Sequence, residues 1–245
     1  MIGTSLPHRE QLSPNFGERV ARASPSIIIL HYTGMSDGIK ACDWLCNAAS
    51  EVSSHYLVDE QGGIVQMVDE KARAWHAGVS NWHGNTDINS ASVGIEIQNP
   101  GHTLGYPAFG LAQMESVAAL CADIMKRHSI QPRNILAHSD VAPGRKIDPG
   151  EKFDWAFLHA YGVGNYVAPE PIMGGAFLQE GDEGDAVMAL QAMLKLYGYG
   201  LDVKGQFDQR TRLVVEAFQR HFRQARVDGV ADQSTVATLH KLLRA

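Results

Sequence analysis

Three side chains in this sequence, His31, His138 and Asp148, are of the types that hold a catalytic zinc ion. Hydrolytic zinc takes three protein ligands and keeps a fourth position for water, and two neutral imidazoles with one carboxylate suit it. His138 and Asp148 bracket the loop HSDVAPGRKIDPG (138–150), where Pro143-Gly144 and Pro149-Gly150 supply turn chemistry that can bring its two ends to one ion. Glu96 and Lys146 join this set, because all five residues come from strand ends or the loops beside them, where open α/β sheets place ligands. Spacing alone leaves a bland reading beside this one. The chain has eleven histidines, so chance pairings are common, and a lone histidine on a strand is more often a satisfied structural group. Lys146 reads equally as a solvated loop charge, and Glu96 as a polar residue on a solvated sheet face.

The elements that must position these residues follow from hydrophobic periodicity. SIIILHY (26–32) is a short β-branched run after Pro25 and before Thr33-Gly34, so it reads as a buried strand with His31 at its end. SHYLVDE (54–60) and IVQMVD (64–69) flank a turn at Gln61-Gly62-Gly63 and form a hairpin pattern in which His55 reads as structural. In SVGIEIQ (92–98), Val93, Ile95 and Ile97 alternate with Gly94, Glu96 and Gln98, which puts Glu96 off the apolar face. Residues 110–128 carry Leu111, Met114, Val117, Leu120, Cys121, Ile124 and Met125 at helical spacing. NILAH (134–138) follows as another strand ending in histidine. Strands mixed with helices predict an α/β domain with a mixed central sheet flanked by helices, spanning 1–165.

Gly and Pro crowd together in GVGNYVAPEPIMGG (162–175) and periodicity disappears, so 166–176 is expected to be a linker. Helical patterns at 184–197, 208–222 and 233–244 then predict a small all-α three-helix domain over 177–245. Its apolar faces, with Val187, Leu190 and Leu194 on the first helix and Val236, Leu239 and Leu242 on the last, need partners to be buried.

Bulk properties narrow the function classes. A net charge of -6 gives no clustered basic surface for releasing counterions, so nucleic acid is not an expected partner. Cys42, Cys46 and Cys121 are too few and oddly spaced for a disulfide framework or a zinc finger, and read as buried thiols. No run approaches membrane-spanning length, and the first residues lack an export signal, which favours the cytoplasm.

Several blocks carry a resemblance that spacing alone does not. ILHYTG (29–34), RAWHAGVSNW (73–82), SVGIEIQN (92–99) and AHSDVAPGRKIDPGEKFDW (137–155) occur in the order found in zinc-dependent N-acetylmuramoyl-L-alanine amidases. Over about residues 15 to 165 the chain closely resembles the AmpD-like, type-2 branch of that family, which is related to peptidoglycan recognition proteins. The resemblance implies one zinc ion on His31, His138 and Asp148, with Glu96 and Lys146 as catalytic groups, and hydrolysis of the amide between N-acetylmuramoyl, or its 1,6-anhydro form, and L-alanine. Trp75 and His76 are expected to line the substrate groove, since a ring face suits a sugar. Asn99 is either a hydrogen-bonding partner of the stem peptide or the start of the turn Asn99-Pro100-Gly101.

Residues 177–245 resemble the peptidoglycan-binding domain often attached to wall hydrolases, with Gly181, Gly184, Leu190, Gln191, Gly205, Phe207, Thr211, Phe218, Gln219, Asp228 and Gly229 among the landmarks. That module suggests polymeric wall in the periplasm as the partner, whereas the missing export signal suggests soluble muropeptides in the cytoplasm. The rival reading is a non-catalytic wall-binding protein of the same fold. Filled positions at all three ligand sites favour an enzyme.

Overall fold

In the computed structural model, residues 2–20 and 24–245 are described; Met1 and residues 21–23, part of the expected 1–165 domain, lie outside the described residues. The chain begins with two short strands, β1 (Arg9–Glu10) and β2 (Phe16–Glu18), and then enters the buried strand β3 (Ile27–Tyr32). Helix α1 (Gly38–Leu45) follows, started by Asp37, whose carboxylate accepts from the backbone N–H groups of Ile39 and Lys40. The expected hairpin is β4 (Tyr56–Val58) and β5 (Ile64–Gln66). Then come β6 (Ala72–Ala74), the one-turn helix α2 (Ile88–Ala91), β7 (Ser92–Ile97) and the long amphipathic helix α3 (Leu111–His128).

Strand β8 (Ile135–Ala137) is shorter than its sequence pattern predicts. His138 is the first residue of helix α4 (His138–Val141) and not the last of a strand. The reason is local: Asp140 Oδ2 accepts from the Ala137 N–H at 2.8 Å, which turns the backbone into a helix one residue early. Helix α5 (Trp155–Ala160) closes this region.

Six strands form a mixed sheet in the order β1-β5-β4-β7-β3-β8. β4, β7, β3 and β8 run parallel, and β5 is antiparallel to β4. Central parallel strands need cover on both faces. Ile28, Leu30, Val93, Ile95 and Ile97 pack on one side with Val117, Leu120 and Ile124 of α3. The opposite face of β3 and β8, with Ile27, Ile29 and Leu136, shares its core with the C-terminal region.

That region contains β9 (Phe177–Leu178), α6 (Asp185–Tyr197), α7 (Gln209–Phe222), β10 (Ala231–Asp232) and α8 (Gln233–Leu242). Asp208 and Asp232 start the last two helices by accepting from the backbone N–H groups of Thr211 and Thr235. Val187, Leu190, Leu194, Val214, Phe218 and Leu239 join Trp82, Leu136 and Val141 in one hydrophobic cluster. Each such side chain removed from water contributes roughly 1.5–3 kcal/mol, so the helices are fastened to the sheet and do not hang from a tether. The connecting stretch is docked as well: Ser234 donates to the Glu170 carbonyl at 2.5 Å, and Lys241 pairs with the Glu170 carboxylate.

One polar cluster is sealed inside this junction. Asp140 Oδ1 accepts from the Tyr199 hydroxyl at 2.7 Å, and Oδ2 accepts from His221 Nδ1 at 2.7 Å as well as from the Ala137 N–H. The His221 ring is stacked between Trp155 and Phe222. Among the described residues no helix is long and apolar enough to cross a membrane.

Candidate metal centre and active site

The site lies at the carboxyl ends of the parallel strands. His31 of β3 and Glu96 of β7 are register partners, so their side chains leave the same face of the sheet, opposite to α3. The loop after α4 brings the third and fourth groups back to them. Gly144 takes a φ of +80° that favours glycine, and Lys146 N–H bonds to the Ala142 carbonyl. Ser139 N–H then donates to the Asp148 carbonyl at 3.0 Å, closing the ten-residue excursion.

His31, His138 and Asp148 converge there, and each is less than one-tenth exposed. His31 Nδ1 is 2.9 Å from His138 Nδ1 and 3.2 Å from Asp148 Oδ2, and His138 Nδ1 is 3.0 Å from the same oxygen. Neighbouring ligands of a tetrahedral ion with bonds of 2.0–2.1 Å stand about 3.3 Å apart, so the triangle has the right size for one zinc ion. Its proton inventory points the same way. His138 Nε2 lies 3.1 Å from the Ala77 carbonyl oxygen, which can only accept, so the ring proton sits on Nε2 and Nδ1 is a bare lone pair. Burial, then the neighbouring His138, pushes His31 down to about 4, so this ring is neutral at pH 7. Burial works against the Asp148 charge, but the adjoining His138 and His31 outweigh it and hold this carboxyl well below the usual range. A neutral His31 ring, the inward-facing Nδ1 of His138 and the Asp148 carboxylate converge within one buried triangle, a donor set that suits a divalent cation. These three are the one group of His, Cys, Asp and Glu side chains with metal-holding geometry among the described residues.

Glu96 is beside this triangle, with its Oε2 buried and without a hydrogen-bond partner. Burial, reinforced by the Asp148 charge, pushes its carboxyl well above the usual range, and the Lys146 ammonium pulls the other way. Lys146 acts electrostatically on His31 as well, so one cation bears on both groups. An unpaired carboxyl with raised proton affinity is what a proton carrier requires.

The three residues expected at the substrate groove fare differently. His76 lies under His31 with its Nδ1 3.0 Å from His31 Nε2, and its Nε2 is 3.1 Å from Ser92 Oγ. Both ring nitrogens already have protein partners. Trp75 is half-buried with its indole towards Gly17 of β2, and its backbone is tied to Ser53. Asn99 is buried; its Oδ1 accepts from the Gly101 N–H and its Nδ2 donates to the Pro107 carbonyl, as the turn reading expects. His55, read as structural, is buried with Nδ1 accepting from the Gly94 N–H. Sequence reasoning passed over Ser92, Arg145 and Asp140. Arg145 donates to the Ala77 and Val79 carbonyls and so pins the segment that orients His138. Its signal was position alone, one residue before Lys146.

Comparison with known proteins gives the family of the chain. Residues 21–151 match the family described as N-acetylmuramoyl-L-alanine amidase, and residues 183–239 match a peptidoglycan binding domain. The chain is 35% identical to the N-acetylmuramoyl-L-alanine amidase AmiD of Escherichia coli over 89% of this chain and 82% of that protein. It is 33% identical to the 1,6-anhydro-N-acetylmuramyl-L-alanine amidase AmpD of Citrobacter freundii, over 60% of this chain and 86% of that protein. Among solved structures, AmiD from E. coli in complex with anhydro-N-acetylmuramic acid-L-Ala-D-gamma-Glu-L-Lys superposes with a TM-score of 0.76, covering 91% of this chain and 90% of that one. AmpDh3 from Pseudomonas aeruginosa with an anhydromuramic pentapeptide gives a TM-score of 0.72 at 28% identity, covering 94% and 93%.

Proposed function

The chain belongs to the N-acetylmuramoyl-L-alanine amidase family, and from that premise we propose that His31, His138 and Asp148 hold one zinc ion while Glu96 and Lys146 carry out the proton transfer and charge stabilisation of amide hydrolysis. The observation that carries this reading is the triangle of ring nitrogens and carboxylate oxygen at 2.9–3.2 Å. Zinc bound there supplies a water of near-neutral pKa and polarises the scissile carbonyl. Glu96, whose carboxylate has no competing partner, takes the proton from the attacking water and returns it to the departing L-alanine amine. Lys146 faces the charge that grows on the lactyl carbonyl oxygen in the tetrahedral state. The sealed surroundings of His31 and Asp148 keep the local dielectric low, which strengthens each of these effects.

The relatives with solved complexes bind anhydromuramyl peptides, which supports muropeptides of that type as substrates of this chain. The proposed division is a catalytic unit over 1–165, a connector over 166–176 and a wall-binding unit over 177–245. The match to a peptidoglycan binding domain supports polymeric wall as a second substrate. Mass spectrometry of digested anhydro-muropeptides and purified sacculi tests the reaction. Hydrolysis at the lactyl amide frees peptides that begin with L-alanine. Fragments cut within the stem peptide, or intact muropeptides recovered from zinc-loaded protein, overturn the proposal.

A further inference from the structure

Three hydrogen bonds run in series from a backbone carbonyl to the His31 ring. Ser92 Oγ is 2.6 Å from the Ile88 carbonyl oxygen, His76 Nε2 is 3.1 Å from Ser92 Oγ, and His31 Nε2 is 3.0 Å from His76 Nδ1. The series has one consistent proton arrangement. A carbonyl oxygen only accepts, so the Ser92 hydroxyl donates to it, and with its one proton committed Oγ accepts from His76 Nε2–H. A neutral imidazole has a single N–H, so His76 Nδ1 is an acceptor and His31 Nε2–H donates to it. His31 Nδ1, the atom that faces His138 and Asp148, is then left without a proton.

We infer that His76 and Ser92 are positioning residues that fix His31 as the Nε2–H tautomer, so that its Nδ1 lone pair is presented to a metal ion before any ion arrives. The inference rests on the metal reading above. It explains three features that the proposed chemistry leaves aside. His76 is aromatic and partly buried, yet both its nitrogens face inward onto protein groups. Its backbone is held by Asn89, whose Oδ1 accepts from the N–H groups of both His76 and Ala77. Gly94 lies between Ser92 and Glu96 on one face of β7, where a Cβ would stand 2.6 Å from His76 Cγ, so the ring lies against bare β7 backbone. The two ligand histidines are thus oriented by different means. His138 donates to a fixed carbonyl directly, whereas His31 reaches a fixed carbonyl through two side chains.

Two substitutions separate this role from mere packing. Glutamine at position 76 can accept from His31 and donate to Ser92, while phenylalanine fills the same space and can do neither. Zinc affinity, measured by competition with a chromophoric chelator, is expected to fall about 10–100-fold in His76→Phe, with His76→Gln recovering most of the loss. Ser92→Ala, which frees His76 to change tautomer, is expected to give a smaller loss. Nitrogen-15 spectra of the imidazoles in the metal-free wild-type protein, above neutral pH, provide a readout that needs neither a variant nor an ion. The expected spectrum has the His31 proton on Nε2 and the His76 proton on Nε2. Equal zinc affinity in the wild type, His76→Phe and His76→Gln, or a His31 proton on Nδ1, overturns the inference. Wild-type protein that takes up no zinc at all overturns the metal reading, and this inference with it.

Discussion

Helix α4 carries one member of each of two buried clusters built from histidine and aspartate. His138 belongs to the triangle with His31 and Asp148, and Asp140 belongs to the junction with Tyr199 and His221. Both are sealed from solvent, but their proton inventories are opposite. Asp140 receives three donors, namely a hydroxyl, an imidazole N–H and a backbone N–H. In the triangle, a lone pair of His138 and the Asp148 carboxylate face a neutral His31 with too few protons to go round. The Asp140 oxygens are filled by protein donors, although His221 Nε2 is left without a partner, and such a cluster contributes rigidity, whereas a triangle in which ring nitrogens and a carboxylate oxygen face one another suits a cation. The contrast explains why residue types alone do not mark a site.

Substitutions in the two clusters should therefore fail in different ways. Asp148→Ala is expected to have the largest effect on activity. Loss of an outer partner of a metal ligand typically reduces function by about 10–100-fold, and loss of a ligand itself should exceed that. Metal analysis should find the bound zinc gone, while the thermal midpoint of the chelator-treated protein stays close to that of chelator-treated wild type. Retention of zinc by this variant would break the comparison at its centre.

Lys146→Ala sharpens the comparison within the site. It should lower turnover by roughly a hundredfold, the usual loss for one oxyanion-stabilising donor, with zinc content unchanged. Loss of zinc together with turnover would instead make Lys146 a support of the triangle.

Asp140→Ala should act on stability. Removing the carboxylate leaves the Tyr199 hydroxyl and the His221 N–H buried without an acceptor, and each donor orphaned in this way typically costs about 1–3 kcal/mol. Urea unfolding reads this directly, and the folded fraction should still take up one zinc per chain. Tyr199→Phe is the mildest test. It removes one of the three donors to Asp140, the hydroxyl, and should cost about 0.5–1.5 kcal/mol with activity unchanged. An activity loss in Tyr199→Phe as large as in Lys146→Ala would mean that the junction belongs to the catalytic machinery.

The places of His31 and Glu96 in the sheet were legible in the sequence because strand periodicity is strict, while their proposed roles came from the family resemblance. Alternation in SVGIEIQ separates Glu96 from the apolar face, and a β-branched run points to His31 at the end of β3. The Pro-Gly turns of 138–150 announced a loop that folds back, and Asp148 does return to His138. What stayed hidden depends on contacts between distant segments. Strands β1, β2 and β6 have two or three residues each, too few to show alternation, and are strands because their partners make them so. His76 reads as a groove residue because its segment has no periodicity, and its partners His31 and Ser92 come from two different strands. The helical pattern of 184–244 disclosed which faces need cover. It did not disclose that the cover is the sheet itself, at Ile27, Ile29 and Leu136. The helix beginning at His138 was missed because a single carboxylate, Asp140, caps it against the local strand pattern.

Zinc titration of chelator-stripped protein, with metal binding and release of L-alanyl peptides from an anhydro-muropeptide followed in the same samples, tests the central claim most directly. The expected result is no turnover without metal, full turnover at one zinc per chain, and no recovery in His31→Ala, His138→Ala or Asp148→Ala. Turnover that persists in the stripped protein, or that is restored by zinc in any of those three variants, would contradict it.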